Sequence, residues 1–179
     1  MTVGTGDFEL TMDELRVVAR FVVEAAEEVL PVFEAAYPDD PRPRAAVDAA
    51  WEFVNGAKRT NLQRVTASDA HRAAQEAATG SGRLAARTAG DAAAAAYLHP
   101  IAKATQVSHI LRGPASAARI AELVAGDNPE VGDNFVERAK NHATPGLIDV
   151  LSRYPTAPAG KSRVDDLMSK LDSKLRESR

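Results

Sequence analysis

Apolar side chains recur along this chain every three or four residues, and hardly anywhere do they alternate singly with polar ones. That is the period of a helix with one buried face, not of a strand. The clearest instance follows Thr11-Met12-Asp13-Glu14. This is a capping box, in which the Thr hydroxyl and the Glu carboxylate each satisfy a backbone N–H of the first turn. Leu15, Val18, Val22, Ala25 or Ala26, Val29 and Phe33 then form one stripe. Pro31 removes a backbone hydrogen bond and predicts a kink or a tightened end. Pro38 to Pro43 predicts a stiff corner, with Asp40 as N-cap and Pro41 as first residue of a second helix. Val47, Ala50, Trp51 and Val54 share its face, and Gly56 marks its end.

Thr66 to Asp69 predicts the start of a third helix reaching about Ala78, before Gly80-Ser81-Gly82 breaks the chain. An alanine-rich helix is expected from Arg83 to about Arg112, interrupted at Pro100, and another from about Pro114 to Ala125. Asn128-Pro129 and Thr144-Pro145 repeat the helix-start signal. Tyr154 to Lys161 is rich in Pro, Ala and Gly, and Ser162 caps a terminal helix carrying Val164, Leu167, Met168, Leu171 and Leu175 on one side. The expected fold class is all-α: a compact multi-helix bundle of eight or nine helices with a C-terminal amphipathic helix. The organisation expected is a flexible leader over 1–10, a helical domain over 11–153, a linker over 154–161 and a terminal helix over 162–179. That last helix either pairs with a second copy as a short coiled coil, giving a homo-oligomer, or folds back on the bundle. The second is favoured, because so short a helix is marginal alone.

Composition narrows the functional classes. A chain of 179 residues buries a sizeable core without staples. The absence of cysteine excludes disulfides, thiolate catalysis and Cys-based metal sites, and suits a reducing compartment. Met1 to Asp7 lacks the basic and apolar regions of a signal peptide. No apolar run approaches the ~20 residues of a membrane helix. A cytoplasmic protein without membrane contact is expected. The 22 Lys and Arg against 25 Asp and Glu give a net charge of −3, with both signs spread along the chain. That balance speaks against a nucleic-acid partner, which needs a basic field. Ser116 to Lys140 has the outline of a helix-turn-helix, but Asp127, Glu130, Asp133 and Glu137 on its second helix would repel phosphate.

No self-sufficient active site is legible, and no cofactor or metal motif is present. The four histidines, His71, His99, His109 and His142, form neither His-Glu-x-x-His nor Glu-x-x-His. The most polar stretch beside the alanines runs from Tyr97 to His109. On a helix continuing past Pro100, His99, Lys103 and Gln106 fall within about 40° of one face, with His109 at its edge in line with Asp91. Asp91, Tyr97, His99, Lys103, Gln106 and His109 are therefore a candidate binding stripe. The alternative is that they hydrogen-bond between helices inside the bundle. Arg42 and Arg44 form a candidate basic corner near a helix N-terminus, where the dipole gives no help. They are held either by Asp39, Asp40 or Asp48, or by a carboxylate of a ligand or partner. Gly80-Ser81-Gly82-Arg83 either binds an anion through backbone N–H groups or is a plain turn; it lacks P-loop spacing.

Two stretches resemble a known family. One is Pro38-Asp39-Asp40-Pro41-Arg42-Pro43-Arg44-Ala45 with Trp51 and Gly56. The other is Ala85-Ala86-Arg87-Thr88-Ala89-Gly90-Asp91-Ala92, running into Tyr97-Leu98-His99-Pro100 and Ala104-Thr105-Gln106-Val107-Ser108-His109-Ile110-Leu111. Together, over about Leu10 to Val150, they resemble the bacterial Imm-5-like putative immunity protein domain. The resemblance implies an all-α fold and a protein partner, a toxin neutralised by contact, and brings no catalytic residues. Some relatives carry the label SMC-type exonuclease, which this chain does not match: it has no Walker motif, metal-binding carboxylate cluster or long heptad arm. A mildly acidic domain suits a basic toxin, since opposite charge speeds encounter. The competing expectation is an enzyme or small-molecule binder built on the polar stripe around His99, Gln106 and His109 with His71.

Overall fold

The computed structural model describes residues 2–3 and 6–179; of the expected leader, Met1, Gly4 and Thr5 lie outside the described residues. Two short strands, β1 (Thr2–Val3) and β2 (Leu10–Thr11), pair antiparallel with Thr2 opposite Thr11 and Val3 opposite Leu10. Among the described residues eight α-helices follow: α1 (Met12–Ala36), α2 (Arg42–Val54), α3 (Asn61–Glu76), α4 (Gly80–Ala94), α5 (Ala104–Val124), α6 (Pro129–His142), α7 (Pro145–Ser152) and α8 (Arg163–Glu177). Apart from that two-residue strand pair the described fold is all-helical, as the periodicity predicts.

The Thr11 capping box forms, and Leu15, Val18, Val22, Ala25, Ala26, Val29 and Phe33 are all buried. Pro31 sits on the exposed side of α1, which runs on to Ala36. There the missing donor faces water. Several boundaries depart from expectation. Helix α2 starts at Arg42 with Pro41 as its N-cap residue, one position later than expected. Helix α3 starts at Asn61, capped by Thr60, whose hydroxyl accepts from the backbone N–H of Leu62 while Gln63 closes a capping box. Thr66 is instead interior and buried, its hydroxyl donating back to the Leu62 carbonyl at 2.8 Å. Gly80-Ser81-Gly82 is the first turn of α4, capped by Thr79, and not a break. Finally, α5 passes straight through Pro114.

Helix α4 is the centre, packed against α1, α2, α3 and α5. Its Ala85, Ala86, Ala89, Ala92 and Ala93 are fully buried. Side chains this small let four neighbours approach one helix, trading apolar area per residue for close axes. Helix α8 packs on α5 and α6, with Leu167, Met168, Leu171 and Leu175 buried there. Its apolar seam is thus spent inside the chain. A buried carboxylate pins it: Glu122 of α5, fully buried, accepts from Arg163 at 2.6 Å and from Arg119 at 2.8 Å. A Cβ on Gly132 of α6 would lie 2.0 Å from that carboxylate, so only glycine fits there.

The segment after β1 is tied to two distant parts of the chain. The Asp7 carboxylate accepts from the Ala102 N–H at 2.8 Å. Phe8 packs edge-on against Tyr154 with centroids 4.8 Å apart. The Tyr154 hydroxyl donates to the His99 carbonyl at 2.9 Å, and Arg153 donates to the Glu9 carbonyl and the Glu14 carboxylate. Residues near 8, 100 and 154 therefore meet in one junction.

Candidate functional site

Between α4 and α5 the chain does not continue as a helix. A 3-10 turn over Ala95–Tyr97 ends at Leu98, and α5 restarts at Ala104 with Lys103 as its N-cap residue. The residue before a proline is pushed out of the α region, and Pro100 itself has no N–H to give. The expectation of one helical face carrying His99, Lys103 and Gln106 is therefore corrected. His99 is exposed in the loop, and its backbone N–H donates to the Gln106 carboxamide at 3.3 Å. Lys103 points from the exposed end of that loop. Tyr97 is turned the other way: its hydroxyl donates to the Thr60 carbonyl at 2.7 Å, and its ring lies under Arg64 at 4.0 Å and Arg59 at 4.5 Å.

Asp91 has a different setting. It is buried in α4 at 4% exposure, directly before the five consecutive alanines Ala92 to Ala96. Arg112 of α5 grips it through two parallel bonds, Nε to Oδ2 and Nη2 to Oδ1, each 3.0 Å. His71 of α3 approaches Oδ1 with Nε2 at 3.2 Å. Burial alone would raise this carboxyl; the hydrogen bonds from His71 and Arg112 outweigh it and hold Asp91 below the ordinary aspartate value. Arg112 is correspondingly raised: burial lowers it, but the Asp91 bonds prevail. The His71 ring lies against Gly90, where a Cβ would come within 2.5 Å of it. His109 stands on the outer edge of α5; burial of its flank, then the charge of Arg112, hold it below the ordinary imidazole value. Of the residues expected as one stripe, Asp91 and His109 neighbour the same arginine, whereas His99, Lys103 and Gln106 belong to the loop and the start of α5.

The basic corner is internally satisfied. Arg42 pairs with Asp40 at 2.7 Å and with Glu76 of α3, and Arg44 with Glu34 at 2.9 Å and Glu27 at 2.9 Å. Both guanidinium groups are raised by these bonds. Asp40 matches the expected acid; Glu27, Glu34 and Glu76 come from helix faces that only packing brings near.

Three side chains that the sequence reading did not single out as a group surround the Asp91 pair. Arg83 and Arg87 of α4, with Arg112, line an open groove of roughly 440 Å³ together with His71, Ala74 and Gln75 of α3. Arg83 makes one long bond, 3.3 Å, to the Ala77 carbonyl. Arg87 is exposed and pairs with no acid among the described residues. A second groove of roughly 400 Å³ continues past His71 and Gln75 to Arg64, Arg72 and Tyr97. Beside it, α3 exposes Leu62 at 41% and Val65 at 47%. Residues 62, 65 and 72 share the outward side of a helix at 100° per residue. A more apolar groove of roughly 330 Å³ lies across α1 at Phe21, Ala25 and Phe135, but its rim is bridged by Glu24–His142 and Glu28–Arg138. Arginines spaced four apart on α4 were the available signal for the basic groove; the contribution of Arg112 needs the α4–α5 packing.

Among known families, the one described as Imm-5 like putative immunity protein matches residues 9–105. No curated protein and no solved structure matches the chain. The matched span covers α1 to α4 and the loop to the first residues of α5, so it contains His71, Arg83, Arg87 and Asp91 but not Arg112.

Proposed function

The chain belongs to the Imm-5 like putative immunity protein family, and from that premise we propose that it neutralises a toxin by direct protein contact in the cytoplasm, without chemistry of its own. The observation that carries this reading is the outward face of α3. It exposes Leu62 and Val65, one turn apart, on the same helix that carries Arg64 and Arg72 into the groove where Arg64 lies over the ring of Tyr97. Large apolar side chains among arginines and an aromatic are the composition of a protein-binding patch, where charge guides encounter and buried side chains hold the complex. Leu62 and Val65 leave 41% and 47% of their surfaces in solvent, area that a partner would cover. No described helix is long and apolar enough to cross a membrane.

The test is co-expression with the toxic protein encoded beside this gene. Growth should be restored by the natural chain and not by Leu62→Asp/Val65→Asp, although the variant melts within a few degrees of the parent. Copurification with the toxin should be lost in parallel. Failure of the natural chain to restore growth, or full rescue by the variant, refutes the reading.

A further inference from the structure

The net charge of −3 is an average over an uneven surface. Most of the arginines bonded to side chains are already neutralised. Arg42, Arg44, Arg119, Arg153 and Arg163 each contact two acids. The groove between α3, α4 and α5 is the exception. Three guanidinium groups line it against a single carboxylate, Asp91, whose side chain is only 3% exposed and whose two oxygens are already spent on Arg112 and His71. Asp165 of α8 is near enough for its charge to act on Arg112, but its carboxylate is held by Ser162. The groove therefore keeps uncompensated positive charge facing solvent.

The geometry is prepared as well as charged. The two bonds to Asp91 fix the plane of the Arg112 guanidinium and leave Nη1 with no acceptor among the described residues. An arginine held on one edge presents the other as a rigid fork, the geometry that receives a carboxylate in two parallel bonds. Ala74 on the wall leaves room above it. From these observations we infer that the groove seats a carboxylate-rich, acidic segment of the protein partner on Arg83, Arg87 and Arg112. This deepens the binding reading above and rests on it. An extended chain fits better than a single small anion, because the second groove shares His71 and Gln75 with the first and carries a further cation at Arg64, while its Arg72 is already paired with Asp69. The partner surface is thus acidic at this face, contrary to the basic partner that overall charge suggests.

The experiment titrates the full chain with fluorescein-labelled hexaglutamate and reads polarisation. Binding is expected at low salt and weakens about tenfold on reaching ~0.15 M, where exposed charges are screened beyond about 8 Å. Arg83→Glu/Arg87→Glu should abolish it, while Arg138→Glu, on the groove across α1, should leave it unchanged. Both altered groups are exposed, and circular dichroism melts confirm that each variant is folded. Binding of inorganic pyrophosphate or an oligouridylate without hexaglutamate overturns the proposal in favour of a phosphate ligand. Absence of all binding, or binding indifferent to Arg83→Glu/Arg87→Glu, also overturns it. Because the probe needs no toxin, the two readings fail separately. Rescue without hexaglutamate binding removes only the groove; hexaglutamate binding without rescue removes the immunity role.

Discussion

Asp91 shows what a single residue discloses before its partners are known. An aspartate between Gly90 and five alanines has no business on a buried helix face unless a cation answers it, and that much is legible in the sequence. The answering residue is 21 positions away, on a helix whose start the alanine pattern misplaces. Arg112 therefore stays invisible until α4 and α5 are packed. Removing one partner from such a pair leaves an uncompensated charge. Asp91→Ala should cost about 3 kcal/mol, at the lower end for buried pairs because Arg112 keeps some contact with water. Urea denaturation at neutral pH measures it, and a loss below about 1 kcal/mol would mean the pair is not closed in solution. Gly90→Ala should also destabilise, despite its helix propensity gain of roughly 1 kcal/mol, because the new methyl displaces the His71 ring.

Among the elements, helix existence was legible nearly throughout and helix ends were not. The Thr11, Asn128, Thr144 and Ser162 starts read correctly because each combines a capping side chain with a proline or an acid in the first turn. Thr66 misled because a threonine inside a helix and one at its cap look alike in sequence; only its back-bond to Leu62 separates them. Thr60→Ala should therefore cost about 1 kcal/mol of stability, the usual worth of an N-cap. A melt unchanged within error would refute Thr60 as the cap. The two prolines misled in opposite directions. Pro100 keeps the chain out of helix between Leu98 and Lys103, since the residue before a proline is pushed out of the α region. Pro114 is buried, and α5 continues through it because α1, α4, α6 and α8 pack along its length. Tertiary contact overrides one missing hydrogen bond there. The candidate stripe across Pro100 dissolved for that reason.

At the scale of the molecule, ion pairs stitch the helices together and give stability a predictable pH dependence. Glu14 is held down by Arg153 of the chain after α7, Glu76 of α3 by Arg42, Asp133 and Glu137 of α6 by Lys170 and Lys174 of α8, and Asp91 by His71 and Arg112 against the opposing effect of burial. Each carboxyl has a folded value below its unfolded one, so the unfolded chain binds more protons as pH falls. Their stabilisation is complete above the unfolded values of about 3.9 to 4.3 and is lost as pH drops through the folded ones. Tm should be nearly flat from neutral to about pH 5 and fall steeply below about pH 4. Scanning calorimetry across that range checks it, and a Tm still flat at pH 3 would show that these pairs hold nothing. The junction of residues near 8, 100 and 154 carries a consequence of another kind, in the order of events. Its bonds join positions 95, 55 and 139 residues apart, whereas a helical bundle gains most of its contacts locally. Closing such wide loops is entropically the last step to be repaid. Folding should therefore complete there, after the α1–α5 core has set. The same seam should open first in the native state, so that the Ala102 amide exchanges with deuterium long before those of α4.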